Sequence, residues 1–166
     1  MKQIAISADR RLVSFDGQAY AGSCLVRTLG NGLRPLHDKS QVYYSMNADG
    51  SQGKPIMPGT FPSGTWEVEG VQTMDNPNTD YGPVVIRTNA HQIRKVWILD
   101  AAGGYDYESA DEVMDWFYQI HFCDPVQFGI WSDGCEHVAV KSDMMALAVA
   151  VKAVLGGGES VEVVAS

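Results

Sequence analysis

Short apolar segments that alternate with polar residues, each bounded by a turn, are the feature that most narrows the fold of this chain. Ile4 and Ile6 alternate with their neighbours near the start of the sequence. After a short polar turn come the apolar residues Leu12, Val13 and Phe15, and the two segments together are typical of a β-hairpin. This pattern predicts a fold built mainly from β-strands.

Further extended segments continue the pattern through the first part of the chain. A strand is predicted in each of residues 19–27, 41–46, 65–71, 83–87 and 94–99. The stretches at 30–32, 47–62 and 75–78 are rich in Gly, Pro, Asn and Asp, and we expect turns there.

Two helices are predicted towards the carboxy terminus, where the spacing of apolar residues becomes helical. Ser109 and Glu112 have the spacing of a capping box. They precede apolar residues at helical spacing, which predicts a helix up to about residue 121: Val113, Trp116, Phe117 and Ile120. Ser142 is expected to cap a second helix over 143–155 that ends at the glycines 156–158, and a short strand is predicted at 161–164.

The chain length of 166 residues and the absence of repeats predict one domain over residues 1–166. The expected fold class is mainly β with two α-helices. A formal net charge of −8 argues against nucleic-acid binding, because a phosphate backbone requires a basic surface. No apolar stretch has the length of a membrane span, so we expect no membrane-spanning helix. No secretory signal is recognised at the amino terminus, so we expect no signal peptide in this sequence.

One segment between the predicted helices gathers thiol and imidazole side chains. The three cysteines are too few for a disulfide framework, and an odd number cannot all pair with one another: Cys24, Cys123 and Cys135. Two of them lie in this segment together with His121 and His137. A thiolate is a strong nucleophile, and a nearby imidazole can take the proton of the thiol. The residues thus allow a Cys135–His121 pair for acyl transfer, whereas Cys24 and Cys123 are expected in the core.

The run from Ser132 through Asp133 and Gly134 to Cys135 suits a tight turn. Gly134 permits backbone conformations that other residues avoid, and such a turn can direct successive N–H groups at one point. N–H groups in that arrangement stabilise the oxyanion that forms when a thiolate attacks an acyl carbon.

A zinc site is the alternative chemistry for the same segment. The pairs His121/Cys123 and Cys135/His137 supply four side chains that can bind zinc. Their one-residue gaps differ from the spacing of common zinc knuckles, so zinc is the weaker interpretation.

The segment resembles the signature of the L,D-transpeptidase catalytic domain, the YkuD-like family. The matching residues, in order, are Ile120-His121, Phe128-Gly129-Ile130 and Ser132-Asp133-Gly134-Cys135. Residues 2–15, 58–68 and 142–164 also resemble the family's opening hairpin, a strand entry, and the closing helix and strand. The resemblance implies a β-sandwich or barrel-like catalytic domain.

The resemblance also implies the role of each residue. Cys135 would be the nucleophile, His121 the general base, and Ser132 would orient the imidazole through its main-chain carbonyl. The N–H groups of Gly134 and Cys135 would bind the oxyanion. The family acts on peptidoglycan stem peptides, where it attacks the carbonyl of the third residue, usually diaminopimelate, and releases the terminal D-amino acid. It needs no cofactor or metal, transfers to an amine or to water, and is acylated by carbapenems.

Several residues depart from the family's pattern. Asp133 stands where the family usually has histidine, and Glu136 and His137 stand where it has an apolar residue and arginine. The carboxylates of Asp133 and Glu136 are expected to raise the pKa of the Cys135 thiol, because like charge disfavours a thiolate, unless His121 or His137 compensates. His137 is a candidate contact for a substrate carboxylate, and the alternative is that it only lines the turn.

The remaining side chains near the motif have less distinctive patterns. Trp131 is a candidate to line the cleft, although aromatic core packing explains it equally well. Tyr44 is a second candidate, because Tyr43 and Tyr44 alternate sides of a strand and at most one of them faces the site. We expect Trp116 and Phe117 in the core of the first helix. Asp115 is expected on a solvated face, and His91 is expected in a solvated loop.

The leading hypothesis is a cysteine acyltransferase or peptidase that acts at the cell wall. With no secretory signal expected, delivery by a phage or a secretion system would bring it there. The alternative is a non-catalytic wall-binding or particle component with the same fold. The sequence leaves open the oligomeric state and the choice between transpeptidase, carboxypeptidase and exchange activity.

Overall fold

The computed structural model describes residues 1–22, 25–26, 43–56, 60–74, 82–96, 98–99, 105–106, 111–123, 131–132 and 134–166. Within these residues the chain forms sixteen β-strands and one helix, α1 (Lys141–Gly156). The strands are β1 (Lys2–Ile6), β2 (Leu12–Phe15), β3 (Gln18–Ala21), β4 (Leu25–Val26), β5 (Tyr43–Met46), β6 (Gln52–Ile56), β7 (Gly64–Thr73), β8 (Val84–Thr88), β9 (Gln92–Lys95), β10 (Ile98–Leu99), β11 (Tyr105–Asp106), β12 (Glu112–Asp115), β13 (Gln119–Phe122), β14 (Trp131–Ser132), β15 (Glu136–Val138) and β16 (Val161–Ala165).

Eight strands form the main sheet, in the order β15-β13-β8-β7-β16-β1-β2-β3. The pairs β1/β16 and β13/β15 are parallel, and the other neighbours in this sheet are antiparallel. Four smaller pairs complete the described strands: β5/β6, β9/β12, β10/β11 and β4/β14. The predicted class, mainly β, is therefore confirmed.

The two edges of the main sheet meet beyond β3 and β15. Gly22 forms an antiparallel bridge with Val138, and the N–H of Ala139 donates to the carbonyl of Ala21 at 2.9 Å. The sheet is therefore curled into a nearly closed, barrel-like shape. A Cβ at Gly22 would lie 2.8 Å from the Arg10 carbonyl oxygen and 2.9 Å from Glu136 Oε1, so this closure requires glycine.

The core lies on the inner face of this curved sheet. Alternating residues of the strands, such as Ile4 and Ile6, point inward and are buried. Helix α1 packs against β7, β8, β13, β15 and β16. Its buried residues recur at helical spacing and join the same cluster: Met144, Leu147, Ala148 and Val151. Among the described residues, no helix combines the length and the apolar character that crossing a bilayer requires.

Most predicted elements of the first part of the chain are confirmed. The hairpin over residues 2–15 is β1 and β2, and each of the five further predicted strands overlaps an observed strand. The predicted turn at 47–62 is partly wrong, because it contains β6, which pairs with β5. Whether residues 52–56 form a strand depends on their pairing with β5, and local composition does not reveal that pairing.

The first predicted helix is wrong, because its residues form β12 and β13 instead. Strand β12 pairs with β9, and β13 lies between β8 and β15 in the main sheet. Phe117, between the two strands, has a φ of 69°, which no α-helix contains. The apolar spacing is compatible with both structures, and the sheet offers Ile120 complete burial. Ser109 lies outside the described residues.

The second predicted helix and the last strand are confirmed as α1 and β16. The predicted cap is wrong: Val140 occupies the N-cap position, and no side chain caps the helix there. The carboxy-terminal end follows the prediction, because the helix ends at Gly156 and Gly157 is its C-cap.

Glu136 is an ionisable residue on the inner face of the sheet. It lies in β15 opposite Ile120, and its exposed fraction is 0%. Neither of its carboxyl oxygens has a hydrogen-bond partner among the described residues. Burial raises the pKa of Glu136 to about 9, although the charge of Arg10 opposes this shift. The carboxyl group is therefore protonated at neutral pH.

This burial predicts that the stability of the fold decreases as pH rises. Between 4.5, the ordinary pKa of a glutamate side chain, and the folded pKa of about 9, only the folded state keeps the proton on Glu136. The free energy of unfolding should then fall by up to about 1.4 kcal/mol per pH unit. Glu136→Gln, which is neutral at every pH, should remove this dependence. Urea unfolding from about pH 5.5 to 8.5 measures it, and equal slopes for both proteins would contradict the assignment.

A second prediction concerns the closure at Gly22. Gly22→Ala should destabilise the fold by about 1–3 kcal/mol, because the new methyl group meets the Arg10 backbone and Glu136. Gly156→Ala is the matched control: outside its own stretch of helix, no atom of the described residues lies within 4 Å of a Cβ at this position, and alanine should stabilise the helix by about 0.5–1 kcal/mol. Urea unfolding compares both variants with the wild type, and a neutral Gly22→Ala would contradict the tight closure.

Candidate active site

A pocket of about 410 Å³ opens between the main sheet and the smaller strand pairs. Its wall is mostly apolar and aromatic: Tyr44, Met46, Ile56, Met74, Trp116 and Phe117. The polar residues Gln72, Asp115, Tyr118 and Gln119 also line it, and Gly134 and Cys135 complete one side. A concave, mainly apolar pocket with a few converging polar groups is the usual form of a small-molecule or peptide site.

Cys135 lies at this pocket, one residue before β15, and is half-buried. Ile120 and Glu136 are paired in the parallel register of β13 and β15, so the position of Cys135 corresponds to that of Gln119. Both residues line the pocket. Gly134 precedes the cysteine with a φ of 145°, a conformation that L-residues rarely adopt.

His121 lies in β13, two residues beyond Gln119, and its register partner in β15 is His137. Because side chains alternate along a strand, His121 shares a sheet face with Gln119. The rings of His121 and His137 lie 4.6 Å apart, and the residues are 3% and 5% exposed. The two imidazoles therefore form a buried pair on the face that carries the pocket.

The hydrogen bonding of His121 indicates which ring nitrogen can accept a proton. Its Nδ1 lies 2.8 Å from the main-chain carbonyl oxygen of Phe122. A carbonyl only accepts hydrogen bonds, so Nδ1 carries a hydrogen, and in the neutral ring the lone pair is on Nε2. A neutral ring in this tautomer can accept a proton at Nε2. Phe122 was not identified from the sequence, and the orienting role expected of Ser132 stays a prediction.

Of the other predicted site residues, one lines the pocket, one lies beside His121, two belong to a smaller strand pair and one lies outside the described residues. Tyr44 lines the pocket and is 43% exposed, which agrees with the role expected of it. His137 lies beside His121 rather than in the pocket wall. Trp131 and Ser132 form β14, which pairs with β4, and their roles in the site stay predictions. Asp133 lies outside the described residues.

Cys123 differs from Cys135 in its surroundings. It is 3% exposed, and its N–H donates to the carbonyl of Val138 at 3.3 Å. This burial agrees with the structural role expected of Cys123. Cys24 lies outside the described residues.

Glu136 does not place a negative charge beside the thiol. Adjacent residues of β15 point to opposite faces, so Glu136 faces the core whereas His137 faces away from it. Burial raises its pKa to about 9, and the group is neutral at pH 7. The expectation of a charged Glu136 carboxylate beside the thiol is therefore wrong, and Asp133, the other residue of that expectation, lies outside the described residues.

Asp115 is a site residue that sequence reasoning placed wrongly on a solvated face. It is 6% exposed, and its Oδ2 lies 3.4 Å from Arg94 Nη1 in a buried ion pair. The hydroxyl of Tyr118 donates to the same oxygen at 2.5 Å. Pairing of β9 with β12 brings these groups together across 21 residues of sequence, and no local sequence pattern indicates that pairing.

Trp116 and Phe117 line the pocket instead of a helix core, so that expectation is also wrong. The N–H of Trp116 donates to the Met46 carbonyl at 3.1 Å. Its indole stacks on the ring of His91 at 4.4 Å, and Trp66 contacts the same imidazole edge-on at 5.0 Å. His91 is thus half-buried between two indoles, not solvated in a loop.

The zinc alternative has no geometric support. Its four candidate ligands all lie in the described part of the chain: His121, Cys123, Cys135 and His137. No group of three or more His, Cys, Asp or Glu residues within that part is placed to hold one metal ion.

The exposure of the two described cysteines predicts selective alkylation. Iodoacetamide should modify Cys135 in the native protein about tenfold faster than Cys123, because Cys123 is buried. His121→Gln should slow the reaction of Cys135 near pH 7 if His121 takes the thiol proton. Mass spectrometry of peptides measures both rates, with urea-unfolded protein as the control. Equal native rates would contradict the assignment of Cys135.

Comparison with known proteins identifies no relative. None of the family models, curated proteins or solved structures compared with this chain matches it. The likeness to the L,D-transpeptidase family therefore rests on the residues of the His121 to Cys135 segment and on the order of elements around it. The function of the site has to be inferred from its chemistry.

Proposed function

We propose that the protein is a cysteine acyltransferase or peptidase of the L,D-transpeptidase type, acting on peptidoglycan stem tetrapeptides at the cell wall. The observation that supports this most is the position of Cys135. Its thiol lies at a pocket of about 410 Å³, directly after Gly134 with its φ of 145°. On the neighbouring strand, His121 has the tautomer of a base.

In the first half of the proposed reaction, His121 Nε2 takes the proton of the Cys135 thiol. The thiolate attacks the carbonyl carbon of the third stem residue and forms a carbon–sulfur bond. The N–H groups of Gly134 and Cys135 hold the oxyanion of the tetrahedral intermediate. When the intermediate collapses, the bond to the terminal D-amino acid breaks, and its amine leaves with the proton from His121.

In the second half, an amine or water attacks the thioester while His121 removes a proton from the attacking group. The carbon–sulfur bond then breaks, and the Cys135 sulfur is protonated again. An amine acceptor gives transpeptidation or exchange, and water gives carboxypeptidase action. Every proton in this sequence is exchanged between the substrates, Cys135 and His121, and the sequence uses no cofactor.

The pocket wall is suited to a peptide held by its backbone and aliphatic groups. Trp116 and Phe117 offer apolar area, and the amides of Gln72 and Gln119 can hydrogen-bond to peptide groups. The charge of the lining residue Asp115 is already paired with Arg94. The net charge of −8 makes the bulk surface a poor binder of anionic wall material, so we place substrate binding in the pocket.

Incubation with a disaccharide tetrapeptide, followed by mass spectrometry, tests this function. Loss of the terminal D-alanine, its replacement by an added D-amino acid, or formation of dimers is expected. Cys135→Ala should abolish turnover, and His121→Gln should lower it about 10²–10⁴-fold, because proton transfer from the thiol is lost. Cys123→Ala is the matched control and should keep full turnover, since Cys123 is buried and is not among the described residues that line the pocket.

Two outcomes would contradict the proposal. Full turnover by Cys135→Ala would exclude this thiol as the nucleophile. Binding of the tetrapeptide without any product, by folded protein whose Cys135 reacts with iodoacetamide, would favour a non-catalytic wall-binding protein instead.

A further inference from the structure

A buried network of polar side chains lies next to Gly134, the residue before Cys135, and Tyr118 is at its centre. The Tyr118 hydroxyl donates to Asp115 Oδ2 at 2.5 Å. It accepts from Gln92 Nε2 at 2.8 Å and from Arg94 Nη1 at 2.9 Å. Three partners around one hydroxyl leave it little freedom to move.

The network is attached to the surrounding backbone at two further points. The N–H of Met46 donates to Asp115 Oδ1 at 2.8 Å, and Gln92 Nε2 donates to the Thr60 carbonyl at 2.8 Å. Arg94 balances the charge of Asp115. Hydrogen bonds in such a buried place compete with little water and are correspondingly rigid. Burial raises the pKa of Tyr118, so its hydroxyl stays a donor over the whole range of an enzyme assay.

The ring of Tyr118 contacts the residue that precedes the nucleophile. A Cβ on Gly134 would lie 2.5 Å from Tyr118 Cε1 and 3.1 Å from Cδ1, so the ring edge rests against the glycine backbone. Phe61 packs edge-on against the same ring, with centroids 6.0 Å apart. The Tyr118 carbonyl accepts a hydrogen bond from Thr88 Oγ1 at 2.6 Å. Ring, hydroxyl and backbone of Tyr118 are thus all fixed.

We propose that Tyr118 is a positioning residue for the oxyanion site. Its ring, held by Asp115 and Arg94, fixes the backbone of Gly134 and so directs the N–H groups of Gly134 and Cys135. This inference rests on the proposed function and assigns a role to residues that the mechanism above does not use. Tyr118 acts on attack at a carbonyl, where an oxyanion forms, and has no part in forming the thiolate.

Two reagents separate these effects, because carbapenem acylation passes through an oxyanion and iodoacetamide alkylation does not. Tyr118→Phe keeps the ring and loses the hydroxyl. Its acylation rate should fall about ten- to hundredfold, since small misplacements in a site are costly. Its alkylation rate at Cys135 should change less than about twofold. Tyr20→Phe, at another buried tyrosine, is the matched control and should change neither rate.

Hydrogen–deuterium exchange provides a readout that does not depend on catalysis. In Tyr118→Phe, the peptide that contains Gly134 and Cys135 should exchange about tenfold faster, whereas peptides of α1 should not change. Gln92→Leu removes one partner of the Tyr118 hydroxyl and leaves the Arg94–Asp115 pair intact. It should give the same pattern more weakly, and it serves in place of Tyr118→Phe if that variant does not fold.

The outcomes distinguish this inference from the proposed function. Unchanged exchange at Gly134 and Cys135, or an equal fall of acylation and alkylation, would overturn the positioning role. If wild-type Cys135 is alkylated but never acylated, the proposed function is wrong. In that case the exchange rates alone support or overturn the role of Tyr118.

Discussion

The closure of the main sheet is the constraint on which the rest of the structure depends. The bridge between Gly22 and Val138 joins the two edges of the sheet, and it fixes β15 against β13. This parallel pairing determines where Cys135 lies relative to His121. This contact also pairs part of the two sheet edges, whose backbone groups would otherwise be open to other chains. One close approach at a glycine therefore supports both the stability of the fold and the geometry of the proposed site.

The pocket exists because smaller strand pairs stand against this sheet. Contacts from Met46 to Asp115 and Trp116 join β5 to the last residue of β12 and to the residue that follows it. Phe117, with its φ of 69°, then turns the chain so that Tyr118 returns towards Asp115. A bulky residue in this conformation is costly and is kept where the surrounding structure demands it. In this protein the strained residue is part of the pocket wall, between the polar network and the start of β13.

The sequence was sufficient for elements whose pattern is local, and insufficient where distant strands decide. The hairpin over residues 2–15 and helix α1 follow from alternation and from helical spacing. The spacing of Val113 to Ile120 fits a helix equally well, and only pairing with β8, β9 and β15 makes these residues strands. The motif around Cys135 predicts this residue at the site, and the predicted strand over residues 41–46 makes Tyr44 a candidate there. Tyr118 was not predicted, because its role depends on contacts across the fold.

The same distinction explains the electrostatics of the proposed nucleophile. Sequence adjacency suggests that Glu136 opposes a thiolate at Cys135, but alternation along β15 turns its carboxyl group into the core, where burial keeps it protonated. The charge that matters for the thiolate is then that of an imidazole on the opposite face. His121 and His137 lie 4.6 Å apart there, and two imidazolium ions so close would repel each other. In the proposed mechanism, one proton taken from Cys135 by a neutral pair gives it a single positive charge, which would balance the thiolate.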